Sequence, residues 1–203
     1  GGQYHSLFLK AEGSLWAMGR NDSGQQGDPD TGDRLTPVRI FGWEQKPSHS
    51  LARYAYDGVE TIDGKVYFAG GYDGSNRNTV ERYDPATNQW TTLTSLTSAR
   101  RGYAASVLNG KFYAIGGADL SSIEIHDPTS GLWSAGAALP AEVYYGTAIT
   151  VNGKILLISG RNASDQEINQ VLEFNATANA WTAKASLTTA RSGHKSVLHE
   201  NKV

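Results

Sequence analysis

The amino-acid sequence predicts an all-β fold built from repeated four-stranded antiparallel sheets. Gly accounts for 23 of the 203 residues and Pro for only 6, a balance that is typical of a chain with many tight turns. Trp recurs about every 45 residues, as Trp43, Trp90, Trp133 and Trp181. A period of this length is the sequence mark of a repeat architecture, so each Trp is expected to anchor one structural unit.

Each unit begins with a hairpin. An Asx-Gly pair begins 19 or 20 residues after each of the first three of these Trp residues, as Asp63-Gly64, Asn109-Gly110 and Asn152-Gly153. Asn-Gly and Asp-Gly between apolar runs are the strongest short signal for a β-hairpin, because both turn residues must accept positive φ. The second strand then ends at a small-residue pair, namely Gly70-Gly71, Gly116-Gly117 or Ser159-Gly160.

A third and a fourth strand complete the unit. The third contains an acid (Glu81, Glu124 or Glu173) and leads into an Asx turn, and the fourth carries the Trp. Four short strands in a period of about 45 residues predict a blade of a β-propeller. We expect blades at about 53–98, 99–140 and 143–188, and the start of a further blade from 191. Because closed propellers have about 4–8 blades, these residues predict an incomplete ring.

The repeated unit resembles the kelch repeat over about 42–203. The resemblance rests on Gly70-Gly71-Tyr72-Asp73-Gly74, on Tyr83-Asp84-Pro85 followed by Trp90, and on the three-fold recurrence. Residues 1–41 differ: the stretch from Gly1-Gly2-Gln3-Tyr4 to Gly24-Gln25-Gln26-Gly27 resembles one repeat of the regulator of chromosome condensation type. That family also builds propeller blades. The chain starts without Met, and we expect both ends to continue into a longer protein.

Composition excludes several classes of function. The formal charge of −2 and the pI near 6.2 lack the basic character of a nucleic-acid-binding protein. There is no Cys, which excludes thiolate zinc sites and cysteine nucleophiles. No apolar run approaches the roughly 20 residues of a membrane helix. His194 and His199 fall on opposite faces of a predicted strand, and residues 28–33 lack the acids of a calcium loop. We therefore predict no metal, no cofactor and no catalytic residue.

A binding face is predicted where the repeat varies. The loops between the second and third strands, at 72–79, 118–122 and 161–170, differ in length, whereas the hairpin turns at the opposite end do not. Loops that vary on a repeated scaffold commonly carry binding. Arg and Tyr, the residue types enriched at binding hot spots, concentrate there. The predicted binding residues are Tyr72, Arg77, Arg101, Tyr145, Arg161 and Ser192. The kelch resemblance itself implies Tyr72, Arg101 and Ser192, because kelch proteins that bind peptides use this face.

The Arg residues that recur in the repeat have a structural interpretation as an alternative to a role in binding. Arg53, Arg100 and Arg191 each lie ten residues after a Trp, and one interpretation pairs them with the repeated Glu81, Glu124 and Glu173. Val143 occupies the same position in another block, so this pairing is expected to be incomplete. Arg77, Arg101 and Arg161 do not recur in this way and are the better functional candidates.

The sequence favours a non-catalytic module that binds a protein or peptide, including one with acidic groups. One alternative is a secreted carbohydrate-active protein resembling sialic-acid epimerases, in which Arg101 and Glu142 would be the first residues to test. Another is the substrate receptor of a ubiquitin ligase. Mixed arrays of this kind resemble surface or secreted proteins, which favours an extracellular location. Open blade edges further predict self-association.

Overall fold

The structure, a computed structural model, describes residues 5–9, 15–19, 34–39, 53, 59–199 and 203. These residues form fifteen β-strands and no helix, in four antiparallel sheets whose strands follow chain order. The all-β prediction is confirmed. The first sheet has three strands, β1 (His5–Leu9), β2 (Leu15–Gly19) and β3 (Arg34–Arg39).

The other three sheets are four-stranded blades. The first blade comprises β4 (Val59–Ile62), β5 (Lys65–Ala69), β6 (Val80–Asp84) and β7 (Gln89–Leu93). The second comprises β8 (Ala104–Leu108), β9 (Lys111–Ile115), β10 (Ile123–Asp127) and β11 (Leu132–Gly136). The third comprises β12 (Thr147–Val151), β13 (Lys154–Arg161), β14 (Glu167–Asn175) and β15 (Ala180–Lys184).

The Asx-Gly pairs form the hairpin turns that the sequence predicts. Asp63, Asn109 and Asn152 have φ of 49°, 53° and 50°, and the glycine after each is also at positive φ. Two successive residues at positive φ match the twist of the flanking strands, which is why two-residue loops select these types. The registers Leu108↔Lys111 and Val151↔Lys154 place the turn residues identically in successive blades.

Trp90, Trp133 and Trp181 each pack on an aromatic ring of the preceding strand, and the last two also connect their blade to the one before. The ring-centroid distances are 5.3, 4.9 and 5.0 Å, for Tyr83–Trp90, His126–Trp133 and Phe174–Trp181. Trp133 Nε1 donates to the Thr94 carbonyl at 2.8 Å, and Trp181 Nε1 donates to the Ala137 carbonyl at 2.9 Å. The Trp side chain thus packs within its own blade, and in Trp133 and Trp181 its N–H group is hydrogen-bonded across the blade interface.

The blades stack face to face through apolar cores. Residues of the first blade such as Tyr67 and Val80 pack against Phe112 and Ala114 of the second. A second core joins the second and third blades, and Met18 of β2 is buried against Phe68 of the first blade. The three-stranded sheet therefore packs on the first blade as a preceding blade would. The arrangement is an open arc of a β-propeller, as predicted.

Some predictions concern residues that the structure does not describe or does not place in a strand. Residues 191–199 are described without forming a named strand, and residues 200–202 lie outside the described residues. The calcium-like stretch 28–33 also lies outside them. The domain boundaries and self-association stay predictions. Within the described residues, the chain contains no helix long and apolar enough to cross a membrane.

Candidate functional site

The blade ends differ in the way that the sequence predicts. One end carries the hairpin turns at 63–64, 109–110 and 152–153. The opposite end carries the loops at 70–79, 116–122 and 162–166 and the blade-to-blade connections at 100–103, 143–146 and 191–193. We refer to this second end as the variable face. In the third blade, the β13–β14 hairpin extends beyond its counterparts, with strands of 8 and 9 residues and a bulge between Ile158 and Gly160.

Two of the recurring Arg residues, Arg53 and Arg100, have a structural role: each pairs with a buried Glu inside its blade. Arg100 is fully buried and donates to the carbonyls of Gly116 at 2.8 Å and Ser122 at 3.1 Å. Its Nη2 donates to Glu124 Oε1 at 2.6 Å. Arg53 is bound in the same way to the Gly70 carbonyl and to Glu81. The predicted pairing is thus confirmed in the first two blades.

Glu124 also caps the connection that enters its own blade. Its carboxylate accepts from the backbone N–H of Thr97 at 2.6 Å and of Ser98 at 2.9 Å. Burial alone would raise the pKa of Glu124, but these donors and Arg100 outweigh it and hold the pKa below its usual value. The ion pair is therefore part of the junction between the blades.

The prediction that Glu173 repeats Glu81 and Glu124 is wrong. In the third blade, Leu172 lies opposite Leu157 in the strand register. This is the position that Glu124 occupies opposite Ala114 in the second blade. Glu173 lies one residue further on and pairs with Lys184 at 3.1 Å and Lys154 at 3.5 Å. A Glu at the buried position would face Val143, which cannot neutralise it, and Leu172 removes that cost. Arg191 is exposed rather than paired with Glu173.

Tyr72, Arg77 and Arg101 come together where the 70–79 loop of the variable face meets the 100–103 connection. The Arg101 guanidinium lies over the Tyr72 ring, 4.8 Å from its centroid. Arg77 is held by Asp73, with Nε and Nη2 each 2.7 Å from a carboxylate oxygen. The hydrogen bond from Arg77 lowers the pKa of Asp73. In the described part of the chain, by contrast, no carboxylate pairs with Arg101.

Arg161 and Ser192 come together at the third blade, where they brace the long hairpin. Arg161 Nε donates to Ser192 Oγ at 3.1 Å, and its Nη1 lies 2.9 Å from Asp165. Ser192 donates in turn to Glu167 at 2.8 Å. The Tyr144 hydroxyl donates to Asp165 at 2.5 Å. Burial, and then this hydrogen bond to Asp165, raise the pKa of Tyr144 to about 12.

Tyr145 lies between these two groups. It is half-buried, its N–H donates to the Gly102 carbonyl at 2.6 Å, and its carbonyl accepts from the Gly193 N–H at 2.8 Å. Its ring centroid is 5.2 Å from that of Tyr144. The six predicted residues therefore share the variable face as two side-chain clusters with Tyr145 between them.

The variable face is mixed in charge. Arg101 and Glu142 do not form an ion pair; Glu142 instead accepts from the Asp119 N–H at 2.8 Å. Sequence reasoning missed that Asp73 and Asp165 neutralise Arg77 and Arg161, although an acid four residues from each Arg was a visible signal. Among the six predicted binding residues, the expectation of an acidic partner thus rests on Arg101.

Other candidate sites lie elsewhere or are absent from the described residues. An apolar groove of about 350 Å³ lies on the third blade and is lined in part by Asn152, Lys154, Leu156 and Val171. It adjoins the hairpin turn and so does not belong to the variable face. Within the described ranges, no group of three or more His, Asp or Glu side chains could hold a metal ion.

Comparisons with known proteins agree with these features. The kelch motif matches residues 55–97, and the regulator of chromosome condensation (RCC1) repeat matches residues 1–25. An F-box/kelch-repeat protein of Arabidopsis thaliana is 39% identical over 80 residues, which cover 38% of this chain and 21% of the relative. Kelch-like protein 15 of Danio rerio is 30% identical over 104 residues, which cover 47% of this chain and 17% of the relative.

Two further comparisons concern a relative whose name includes a binding partner and a protein of solved structure. The influenza virus NS1A-binding protein homolog of Mus musculus is 31% identical over 114 residues, covering 52% of this chain and 17% of the relative. The matched segment thus corresponds to about a fifth of these relatives. The solved structure of YjhT has a TM-score of 0.74 at 17% identity, covering 94% of this chain and 67% of that chain. This likeness shows the fold.

Proposed function

We propose that this chain, a kelch-repeat β-propeller segment with one regulator of chromosome condensation repeat, holds a protein or peptide partner on its variable face. The observation that carries the proposal is Arg101. Its guanidinium lies over the Tyr72 ring at 4.8 Å and has no carboxylate partner among the described residues. The names of relatives, which include an NS1A-binding protein, support a role in protein binding.

The cations of the variable face differ in their availability to a partner. Arg77 and Arg161 are neutralised by Asp73 and Asp165, and moving either to a partner would first break an ion pair. Arg101 needs no such exchange. The Tyr72 ring contacts its guanidinium, whose planar set of N–H donors suits a carboxylate. We expect Arg101 to be the main electrostatic contact of the variable face.

A non-catalytic role is part of the same proposal. A carbohydrate-active site would need a cation to hold the sugar carboxylate and a nearby acid or base for proton transfer. Glu142, the acid considered for that role, accepts a hydrogen bond from the Asp119 backbone. This contact supports a role for Glu142 in positioning the 118–120 loop.

An adaptor of a ubiquitin ligase is a specific form of the proposed binding function. Relatives named F-box/kelch-repeat protein and Kelch-like protein favour it over the carbohydrate alternative. In such an adaptor, the variable face would hold the substrate protein. The measurements below concern the binding step that both forms share.

The test is selection of peptides from a random displayed library on the immobilised chain, followed by affinity measurement for each selected peptide. Arg101→Ala is expected to weaken binding at least about tenfold, as for a central hot-spot residue. Lys111→Ala is the matched control, because it removes one positive charge at the opposite end, where Lys111 pairs with Asp127 at 3.0 Å. Equal affinities for wild type and Arg101→Ala, or an equal loss in both variants, would contradict the proposal.

A further inference from the structure

A large aromatic residue stands where the neighbouring repeats carry glycine. The carbonyls of Arg100, Val143 and Arg191 each accept from the second residue of a small-residue pair, at 2.9, 3.0 and 2.9 Å. These three positions are therefore equivalent, and the residues two further on are Gly102, Tyr145 and Gly193.

All three residues have the same left-handed backbone. Gly102 and Gly193 have φ of 60° and 65°, and Tyr145 has φ of 54°. Glycine adopts this conformation freely, whereas a bulky residue is strained there. The other non-glycine residues at positive φ in the described ranges are Asp and Asn, which tolerate it better, and the small residue Ser159. Tyr145 is thus a backbone outlier among the residues that the structure describes.

The surroundings hold Tyr145 in this conformation. Its backbone bonds to Gly102 and Gly193 join three successive connections of the variable face in one row. Its ring lies directly on Gly102, because a Cβ at position 102 would come within 2.8 Å of Tyr145 Cε1. Position 102 must therefore remain glycine for the ring to occupy this place. Arg101, whose guanidinium lies over the Tyr72 ring, immediately precedes Gly102 in the chain.

We propose that Tyr145 determines the specificity of the variable face, and that the strain of its backbone is retained for binding. The inference rests on the proposed function and names its ligand class: a peptide with a carboxylate beside an apolar or aromatic side chain. The carboxylate binds Arg101 and the apolar group packs on the Tyr145 ring. Strained residues of this kind cluster at binding sites because the fold can hold them there, and Tyr offers a large, rigid contact surface.

A purely structural role makes the opposite prediction for stability. If the ring were retained to fill space over Gly102, its removal would destabilise the fold. If it is retained for binding, Tyr145→Gly restores the residue of the equivalent positions and relieves the strain. Tyr145→Asn tests the same point with a residue that accepts positive φ without the extra chain entropy of glycine.

The experiment measures thermal unfolding and affinity for the library-selected peptides in the full 203-residue chain. Tyr145→Gly and Tyr145→Asn are expected to keep or raise Tm while weakening binding at least about tenfold. Tyr145→Phe, which keeps the ring, is expected to bind within about threefold of wild type. A fall in Tm of several degrees in both Gly and Asn variants would overturn the inference.

The same peptides separate failure of this inference from failure of the proposed function. Peptides that lose affinity with Arg101→Ala but bind Tyr145→Asn as they bind wild type would overturn the role of Tyr145 and leave the proposed function standing. Peptides insensitive to both variants would overturn both. Selected sequences without the paired acidic and apolar residues would overturn the assigned ligand class.

Discussion

Replacing both residues of the buried Arg100–Glu124 pair by their third-blade equivalents should lower the free energy of unfolding less than the two single replacements do together. The two side chains are 0% and 8% exposed and lie 2.6 Å apart. At the equivalent positions of the third blade, Val143 and Leu172 are both buried in the apolar core. The chain therefore contains two solutions to the same packing problem, one ionic and one apolar. The variants to compare are Arg100→Val, Glu124→Leu and the double variant that combines them.

The expected losses follow from the contacts. Each single variant leaves one buried charge without its counter-charge, which costs about 3–5 kcal/mol. The double variant leaves no buried charge, but the Gly116 carbonyl loses the hydrogen bond from Arg100, and the N–H groups of Thr97 and Ser98 lose those to Glu124. The Ser122 carbonyl keeps its bond from the Gly116 N–H. We expect the double variant to lose about 2–4 kcal/mol, clearly less than the sum of the singles.

Reversible denaturant unfolding of all four proteins at pH 7, followed by fluorescence of the Trp residues, measures these losses. The double-mutant cycle gives the coupling free energy between the two positions. We predict a coupling of at least about 2 kcal/mol in favour of the double variant. Losses that simply add would disprove this expectation, because they would mean that the two charges do not compensate one another.

Further predictions concern the aromatic core and the glycine contacts. Burial lowers the pKa of His126 below its usual value. The contribution of neutral His126 to the free energy of unfolding is therefore full above about pH 6.5, and it falls below that pH because the unfolded state takes up a proton more readily than the folded state. His126→Phe, which introduces the residue that the third blade carries as Phe174, should therefore lose less unfolding free energy between pH 7 and 5; an identical loss would contradict this. Gly116→Ala would place Cβ 2.4 Å from the Val143 carbonyl, whereas at Gly110 nothing lies within 4 Å. Both are at positive φ, so Gly116→Ala should lower Tm clearly more than Gly110→Ala, and equal shifts would show that the contact is unimportant.

Local chemistry made most of the fold predictable. Turns such as Asn109-Gly110 need positive φ at both residues, so their identity locates the hairpins. Trp90, Trp133 and Trp181 recur because each packs on an aromatic ring, and the last two donate the indole N–H to a neighbouring blade. Each constraint fixes a residue type at a set place in the repeat, and both are therefore visible in one sequence.

The candidate site was less predictable because its details depend on register and on contacts across blades. The one-residue offset that puts Leu172 in place of a Glu is set by pairing with Leu157. Glu81 and Glu124 lie three residues before the Asx turns at 84 and 127, whereas Glu173 lies two residues before the turn at 175. This difference was a visible signal that the sequence reasoning missed. The use of Ser192 to brace the third-blade hairpin depends on its contact with Arg161, 31 residues away in sequence. The strain at Tyr145 is visible only in its backbone conformation.

Binding of partners to the variable face can be located by amide hydrogen exchange of the chain with and without a selected peptide. We predict slower exchange in the peptide complex at residues 101–103, 118–120 and 144–146, with no change at the hairpin turns 109–111 and 152–154. Protection confined to those turns, with the connections unchanged, would contradict binding at the variable face and place it at the opposite end of the blades.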